Sequence, residues 1–340
     1  MELEPMTKKM LVIDVSGFSF SGKSAVFDLL TTQQGVKSFD REFEFDFIRV
    51  PSGLLDLKNA ICGEDWSPVR SSEAIRKFSR LVKQMGGSRN IADRLFKPGN
   101  HYDIYFPGFT NFCQIFINEI IAASWQGPWP FDFYSKNSFE IFYKKLMTKV
   151  NKSSFSTIYL ARMSHKDFLQ LSSALLNKIF SSCTGAHENI LLLSNAFESF
   201  NPICSMELAS DCKSIVVDRD PRDIYLSALY HATAHGSKVG ASVIGNNVED
   251  FVQRYKIYRM AINTNEDPSK VLRINFEDLV FDTSSTITQI ENFLDVETFE
   301  IGLSGSRFSP DSSSKNTELW KREMPLYLSK RVDTIEKLLL

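Results

Sequence analysis

The sequence predicts a three-layer α/β/α fold built around a mostly parallel central sheet. Three observations carry that expectation: short apolar runs of the interior-strand kind, helical-period segments between them, and a strand, glycine loop and helix in direct succession near the amino-terminal end. In such folds ligands sit at the carboxyl ends of the strands.

Met10–Ser16 (MLVIDVS) reads as a buried strand, and Lys23–Gln33 (KSAVFDLLTTQ) as a helix closed by Gly35. Between them Gly17–Ser24, GFSFSGKS, fits the spacing G-x-x-x-x-G-K-[ST]. That spacing has a mechanism: glycines let backbone N–H groups turn inward on an anion, and the helix N-terminus adds the positive end of its dipole. Ser19, Ser21, Gly22, Lys23, Ser24 and Ala25 are the candidate phosphate-binding residues.

Phe43–Val50 (FEFDFIRV) alternates and then turns apolar, which predicts a second strand ending at Pro51. From about residue 52 to 150 the character changes. Trp66, Trp125 and Trp129 fall here, with helical patterns in Ser72–Met85 and Asn111–Ser124. The stretches PGNHYDIYFPGF and GPWPFDFY mix Pro, Gly and aromatics as a structured loop does. We expect a helical, aromatic-rich insertion within one domain spanning 1–340, contributing to an acceptor pocket.

Ser164–Cys183 opens with S-x-x-D, a helix cap, and keeps helical spacing. Asn189–Leu193, Lys213–Asp218 and Val271–Phe276 are further interior strands. Helices are expected at Pro221–His235, Val248–Ile262, Ser284–Leu294 and through Leu340.

With 340 residues, 43% hydrophobic and 24% charged, the chain can bury a full core. A net charge of -2 argues against a broadly basic nucleic-acid-binding surface and leaves only a local basic pocket. MELEPMTKKM lacks a long apolar signal core, and no run approaches the ~18 to 20 apolar residues of a membrane span, so a cytoplasmic protein is expected. Cys62, Cys113, Cys183, Cys204 and Cys212 form no C-x-x-C pair; buried thiols are expected, with no disulfide and no metal site.

The second informative stretch is SIVVDRDPRDIYLSAL, Ser214–Leu229. A strand delivers Arg219 to the sheet edge, Asp220 caps the next helix, and Pro221 takes its first position. Ser227 lies two turns into that helix, so Arg219 and Ser227 can reach one phosphate, the arginine as a fork of donors.

On these residues the chain resembles a sulfotransferase that uses 3′-phosphoadenosine 5′-phosphosulfate (PAPS) and releases 3′-phosphoadenosine 5′-phosphate (PAP). In that family a strand-loop-helix holds the 5′-phosphosulfate and a later R-(x)7-S pair holds the 3′-phosphate; RDPRDIYLSA is similar to that second motif. VLRINFEDLVFDTSSTITQIENFL and FSPDSSSKNTELWK (Phe308–Lys321) resemble two further family stretches, the latter near the cofactor. The resemblance implies a P-loop NTPase-like sulfotransferase fold, the 5′ site at the glycine loop, the 3′ site at Arg219 and Ser227, and Lys315 closing over the donor. It also implies sulfuryl transfer to a hydroxyl or amino group without a required metal. Family loops commonly place a basic residue two positions before the glycine; here Phe20 stands there and Lys23 follows the glycine, so Lys23 takes over the phosphate contact.

Such a transfer needs a base for the acceptor proton. Glu42, Glu44 and Asp46 share one face of an extended EFEFDF stretch. REFEFDF loosely resembles a K-E-x-x-F-F-D context of the glycan-sulfating branch, which points to Glu42 with Glu44 behind it and to a carbohydrate or glycoconjugate acceptor. His101, in GNHYDIYF, is the third candidate. The rival is a P-loop kinase or NTPase using ATP with magnesium, Asp218 ending its strand as the metal-holding aspartate. It leaves R-(x)7-S and the late tail unexplained.

Overall fold

The computed structural model describes residues 10–40, 43–87, 101–127, 129, 131, 138–139, 141–142, 146, 156–262, 266–296, 301–302 and 306–339. Two compact units emerge: Met1–Arg49 with Cys183–Leu340, and Val50–Ser182.

The first unit is built on strands β1 (Leu11–Gly17), β2 (Val36–Lys37), β5 (Ile190–Ser194), β6 (Cys212–Asp218) and β7 (Val271–Asn275). They form one five-stranded sheet in the order β2-β5-β1-β6-β7, with every pairing parallel. β1 is central, and all five residues of β5 are buried, so both faces of the sheet are covered. One cover is the cluster of Ile13, Val15, Val26, Leu29, Leu30, Ile215 and Val217. Each such side chain, taken fully out of water, contributes about 1.5–3 kcal/mol. Another cluster joins Ile224 and Tyr225 to Phe251 and to Ile335 of the last helix, with Phe18 and Phe20 of the glycine loop packed against it.

The second unit holds helices Leu54–Cys62, Pro68–Gly86, Phe109–Ile120 and His165–Ser181, with an antiparallel pair of strands, β3 (Ala123–Gly127) and β4 (Ser156–Leu160). Ser67 and Ser164 cap their helices by accepting from Arg70 N and Asp167 N. Its aromatic content is largely core: Phe116 lies between Phe78 (ring centroids 6.1 Å) and Phe168 (5.8 Å). Trp66 Nε1 donates to Ala161 O at 2.8 Å, whereas Trp125 on β3 stands exposed.

Three expectations are corrected. Phe43–Val50 is not a strand: Phe45 N donates to Ser194 O, but the chain then turns, Arg49 N donating to Asp46 O. Its alternation is real, since Phe45 and Phe47 are buried while Glu44 and Asp46 point to Arg49, yet no ladder partner continues the pairing. The second strand is the two-residue β2 instead. The helix expected over Asn111–Ser124 ends at Ile120, and β3 follows. Of the cysteines, all free, only Cys113 is buried; Cys204 is exposed and the other three lie between. Among the described residues no helix is long and apolar enough to cross a membrane.

Candidate functional site

β1 ends at Gly17, and the chain turns through Phe18–Gly22 into the helix Lys23–Leu30. The turn is closed by Ser21 N donating to Phe18 O, with Phe20 at φ 66° and Gly22 at φ 89°. Only glycine fits at position 22: beyond its left-handed φ, a Cβ there would come within 2.3 Å of the Phe276 ring. The helix that follows has no side-chain cap and no acidic residue in its first turn; Ala25 N donates to Gly22 O at 2.9 Å, and the amides of Lys23 and Ser24 are left to a ligand.

A cavity of about 400 Å³ opens over this loop. Ser21, Gly22, Lys23, Ser24 and Ala25 line one wall; Arg219, Ser227 and His231 line another. Arg307, Phe308, Ser313 and Asn316 come from the tail, and Phe276 from the start of the helix after β7. Strand β6 delivers Arg219 to the sheet edge; Asp220 then caps the helix Pro221–His235 by accepting from Arg222 N, with Pro221 at the first position. Ser227 and His231 follow on one face, one helical turn apart.

Arg219 is 7% exposed. Its Nη1 donates to Phe20 O at 2.7 Å, Nη2 donates to Asn316 O, and the guanidinium lies 5.2 Å from the Phe276 ring centroid. Its Nε has no partner, and neither has the buried Ser21 Oγ. Burial pulls the Arg219 guanidinium below its ordinary value, against the pull of Asp223, Glu277 and Asp220. Asp223 fastens the tail: its two carboxylate oxygens accept from Glu318 N at 2.7 Å and Leu319 N at 2.8 Å. Arg222 stacks on Trp320, 3.5 Å from the ring centroid.

At the other end, Lys23 Nζ donates to Glu44 Oε1 at 3.1 Å. Glu44 also accepts from Arg49 and from the side-chain amide of Asn195. Arg49 is shared with Asp46, whose carboxyl is pushed up by burial against the opposing pull of Arg49.

The structure thus brings Ser21, Gly22, Lys23, Ser24 and Ala25 together with Arg219 and Ser227, and sets Glu44 on Lys23. Ser19 is exposed and Lys315 is exposed; neither lines the cavity, although Ser313 and Asn316 beside Lys315 do. His101 belongs to the second unit, where it stands at φ 53° at the head of a short helix, Tyr102–Tyr105. Glu42 lies outside the described residues. Sequence reasoning misses Arg307 and Asn195 and, from its one-turn spacing after Ser227, gives His231 a structural role, whereas His231 lines the cavity. Asp218, the metal-holding aspartate of the rival reading, is taken by Arg259 at 2.7 Å and Arg273 at 3.8 Å. No group of three or more metal-ligating side chains occurs among the described residues.

A family model described as the sulfotransferase family matches residues 160–300, the stretch that carries Arg219, Ser227 and β7. Over that stretch the chain is similar to the sulfotransferase family. Among solved structures, the sulfotransferase domain of the Synechococcus PCC 7002 olefin synthase is similar over 99% of this chain and 97% of its own, at 12% identity and a TM-score of 0.40. A sulfotransferase from Alicyclobacillus acidocaldarius covers 96% of this chain and 94% of its own, at 11% identity and a TM-score of 0.37. The sulfotransferase domain from the curacin biosynthetic pathway covers 97% and 96%, at 12% identity and the same TM-score of 0.37. No curated protein sequence matches the chain.

Proposed function

We propose that the chain transfers a sulfuryl group from PAPS to a hydroxyl or amino group of an acceptor, with a carbohydrate or glycoconjugate as the acceptor class. The observation that carries this reading is the pair of buried, unpartnered donors, Arg219 Nε and Ser21 Oγ, on residues that line one cavity with an uncapped helix start. A buried donor without a partner costs about 1–3 kcal/mol, which a bound anion relieves. Two such donors on separate walls suit a ligand with a phosphate at each end.

In this reading the amides of Lys23 and Ser24, with Ser21, Gly22, Ala25 and the Lys23 side chain lining the site, hold the 5′-phosphosulfate, and Arg219 and Ser227 hold the 3′-phosphate. Ser19 and Lys315 serve at the rim. Glu44 takes the proton of the acceptor as its oxygen or nitrogen attacks sulfur; the bond from sulfur to the phosphate oxygen breaks, and Lys23 neutralises the charge that appears there. The cation–carboxylate pair at 3.1 Å puts base and charge stabiliser side by side. The aromatic-rich segment at about 52–150 contributes to acceptor binding in this reading, and the exposed ring of Trp125 offers apolar area to the C–H face of a sugar. ATP with magnesium is the poorer reading, since two arginines already engage the Asp218 carboxylate.

Calorimetry tests the proposal. PAP binds without added metal and ATP with magnesium binds more weakly, and Arg219→Ala lowers PAP affinity about 10- to 100-fold, as expected for hydrogen bonds to a charged group. Preference for ATP with magnesium, with indifference to Arg219, overturns it.

A further inference from the structure

Lys23 is drawn to two anions, and bonds made to the donor weaken its hold on Glu44. In the structure its ammonium is on Glu44 Oε1, yet the same side chain lines the cavity where the donor's phosphosulfate is placed. When the donor arrives and Lys23 turns to it, the carboxylate loses a partner at the moment its orientation matters most. Arg49 remains, but on the other oxygen, and it is divided between Glu44 Oε2 at 3.2 Å and Asp46 Oδ1 at 2.7 Å. The side-chain amide of Asn195 also donates to Oε1.

Asn195 is built for that task. It follows β5, at the carboxyl edge of the sheet beside β1, and has φ 50°, a conformation asparagine tolerates better than most residues. Its backbone is fixed on both sides: Asn195 N donates to Val15 O at 3.2 Å, and the next amide, Ala196 N, donates to the fully buried carboxylate of Asp14 at 2.7 Å. Ser214 Oγ of β6 donates to the other oxygen of Asp14 at 3.2 Å. The Glu44 segment is tied to the same strand end, Phe45 N donating to Ser194 O at 3.0 Å. A rigid strand end therefore presents a neutral N–H donor to one oxygen of the carboxylate.

Resting on the function proposed above, we propose that Asn195 is a positioning residue for Glu44: its side-chain amide keeps Oε1 in register after Lys23 has moved to the donor. Being neutral, it restrains the carboxylate without competing for the donor's anionic groups. Among the described residues, the charged groups that face Glu44 include Lys23, Arg49 and Asp46, with Asp14 behind the Asn195 backbone.

The test reads the side-chain amide of Asn195 directly, by proton–nitrogen NMR of the full chain with and without saturating PAP. Its resonance is assigned by its disappearance in Asn195→Gly, a variant that keeps the left-handed backbone without strain. The proposal expects a downfield amide proton that collapses to the position of a free asparagine in Glu44→Gln. It also expects the downfield position to persist when PAP is added, and the PAP affinity of Asn195→Gly to stay within twofold of the parent. An amide that returns to the free position on PAP binding, while PAP still binds, overturns the positioning role and leaves the donor reading standing. Failure of PAP to bind the parent chain sinks the donor reading and this inference with it.

Discussion

The two ends of the parallel sheet each carry a cavity, and the larger one is not the candidate site. At the amino ends of the strands a space of about 820 Å³ is lined by Leu11, Met206, Cys212, Lys213 and Leu294; at the carboxyl ends the space is about 400 Å³. The difference is in what the polar groups are doing. Lys213 at the larger cavity is engaged, its ammonium donating to Phe293 O at 2.6 Å and Leu294 O at 3.0 Å at a helix C-terminus. At the smaller one Arg219 Nε and Ser21 Oγ are buried with nothing to bond, and a helix start is uncapped. Between these two cavities, unsatisfied donors rather than volume make the difference.

That contrast can be broken or sharpened by mutation. The largest expected effect is chemical: Glu44→Gln lowers the rate of sulfuryl transfer by about 10²- to 10⁴-fold while PAP binding, read by calorimetry, is kept or tightened because Lys23 is released. If transfer survives in Glu44→Gln, Glu44 is not the base. Next comes binding at each end of the sheet. Asp223→Ala frees the tail from both of its backbone anchors and weakens PAP about 10-fold, the order of one or two hydrogen bonds to a charged group. Lys213→Ala, at the larger cavity, leaves PAP affinity within twofold and costs only about 0.3–1 kcal/mol of stability from the lost charge at the helix end. A loss of PAP binding in Lys213→Ala equal to that in Asp223→Ala would erase the distinction.

A separate effect is on the stability profile. Burial pushes the Asp14 carboxyl up to about 7, partly offset by hydrogen bonds from Ala196 and Ser214. The folded chain therefore holds a proton that the unfolded chain has released, so between about pH 4 and pH 7 stability falls as pH rises. Asp14→Asn removes that slope: relative to the parent its melting temperature rises across this window and levels off above it. Melting curves that stay parallel from pH 4 to pH 8 would show that Asp14 does not titrate as described.

What was legible in the sequence was local. Strand, loop and helix at residues 11–30 lie within one short stretch, and Asp220, Pro221 and Ser227 follow one another along a single helix, so spacing alone placed them. The tail was recognised as a motif, yet Lys315 was picked where its neighbours Ser313 and Asn316 face the cavity, because facing depends on a short 3-10 turn, Ser314–Asn316. Phe43–Val50 was misread because alternation reports which side chains are buried and not whether a neighbouring strand continues alongside. Asn195 left no trace: it meets Glu44 across 151 residues, through a left-handed backbone that no periodicity encodes. The hairpin β3–β4 was invisible for a related reason, four of the five β3 residues being exposed.

The way Arg219 is held has a consequence for the life of the chain before it is complete. Its guanidinium bonds Phe20, 199 residues earlier, and Asn316, 97 residues later. Asn316 is made after Phe20 and Arg219, so the wall it supplies forms last. A nascent chain stalled between Arg219 and Glu318 carries the glycine loop and the arginine but not the Asp223 and Trp320 fastenings, so the cavity lacks its tail wall.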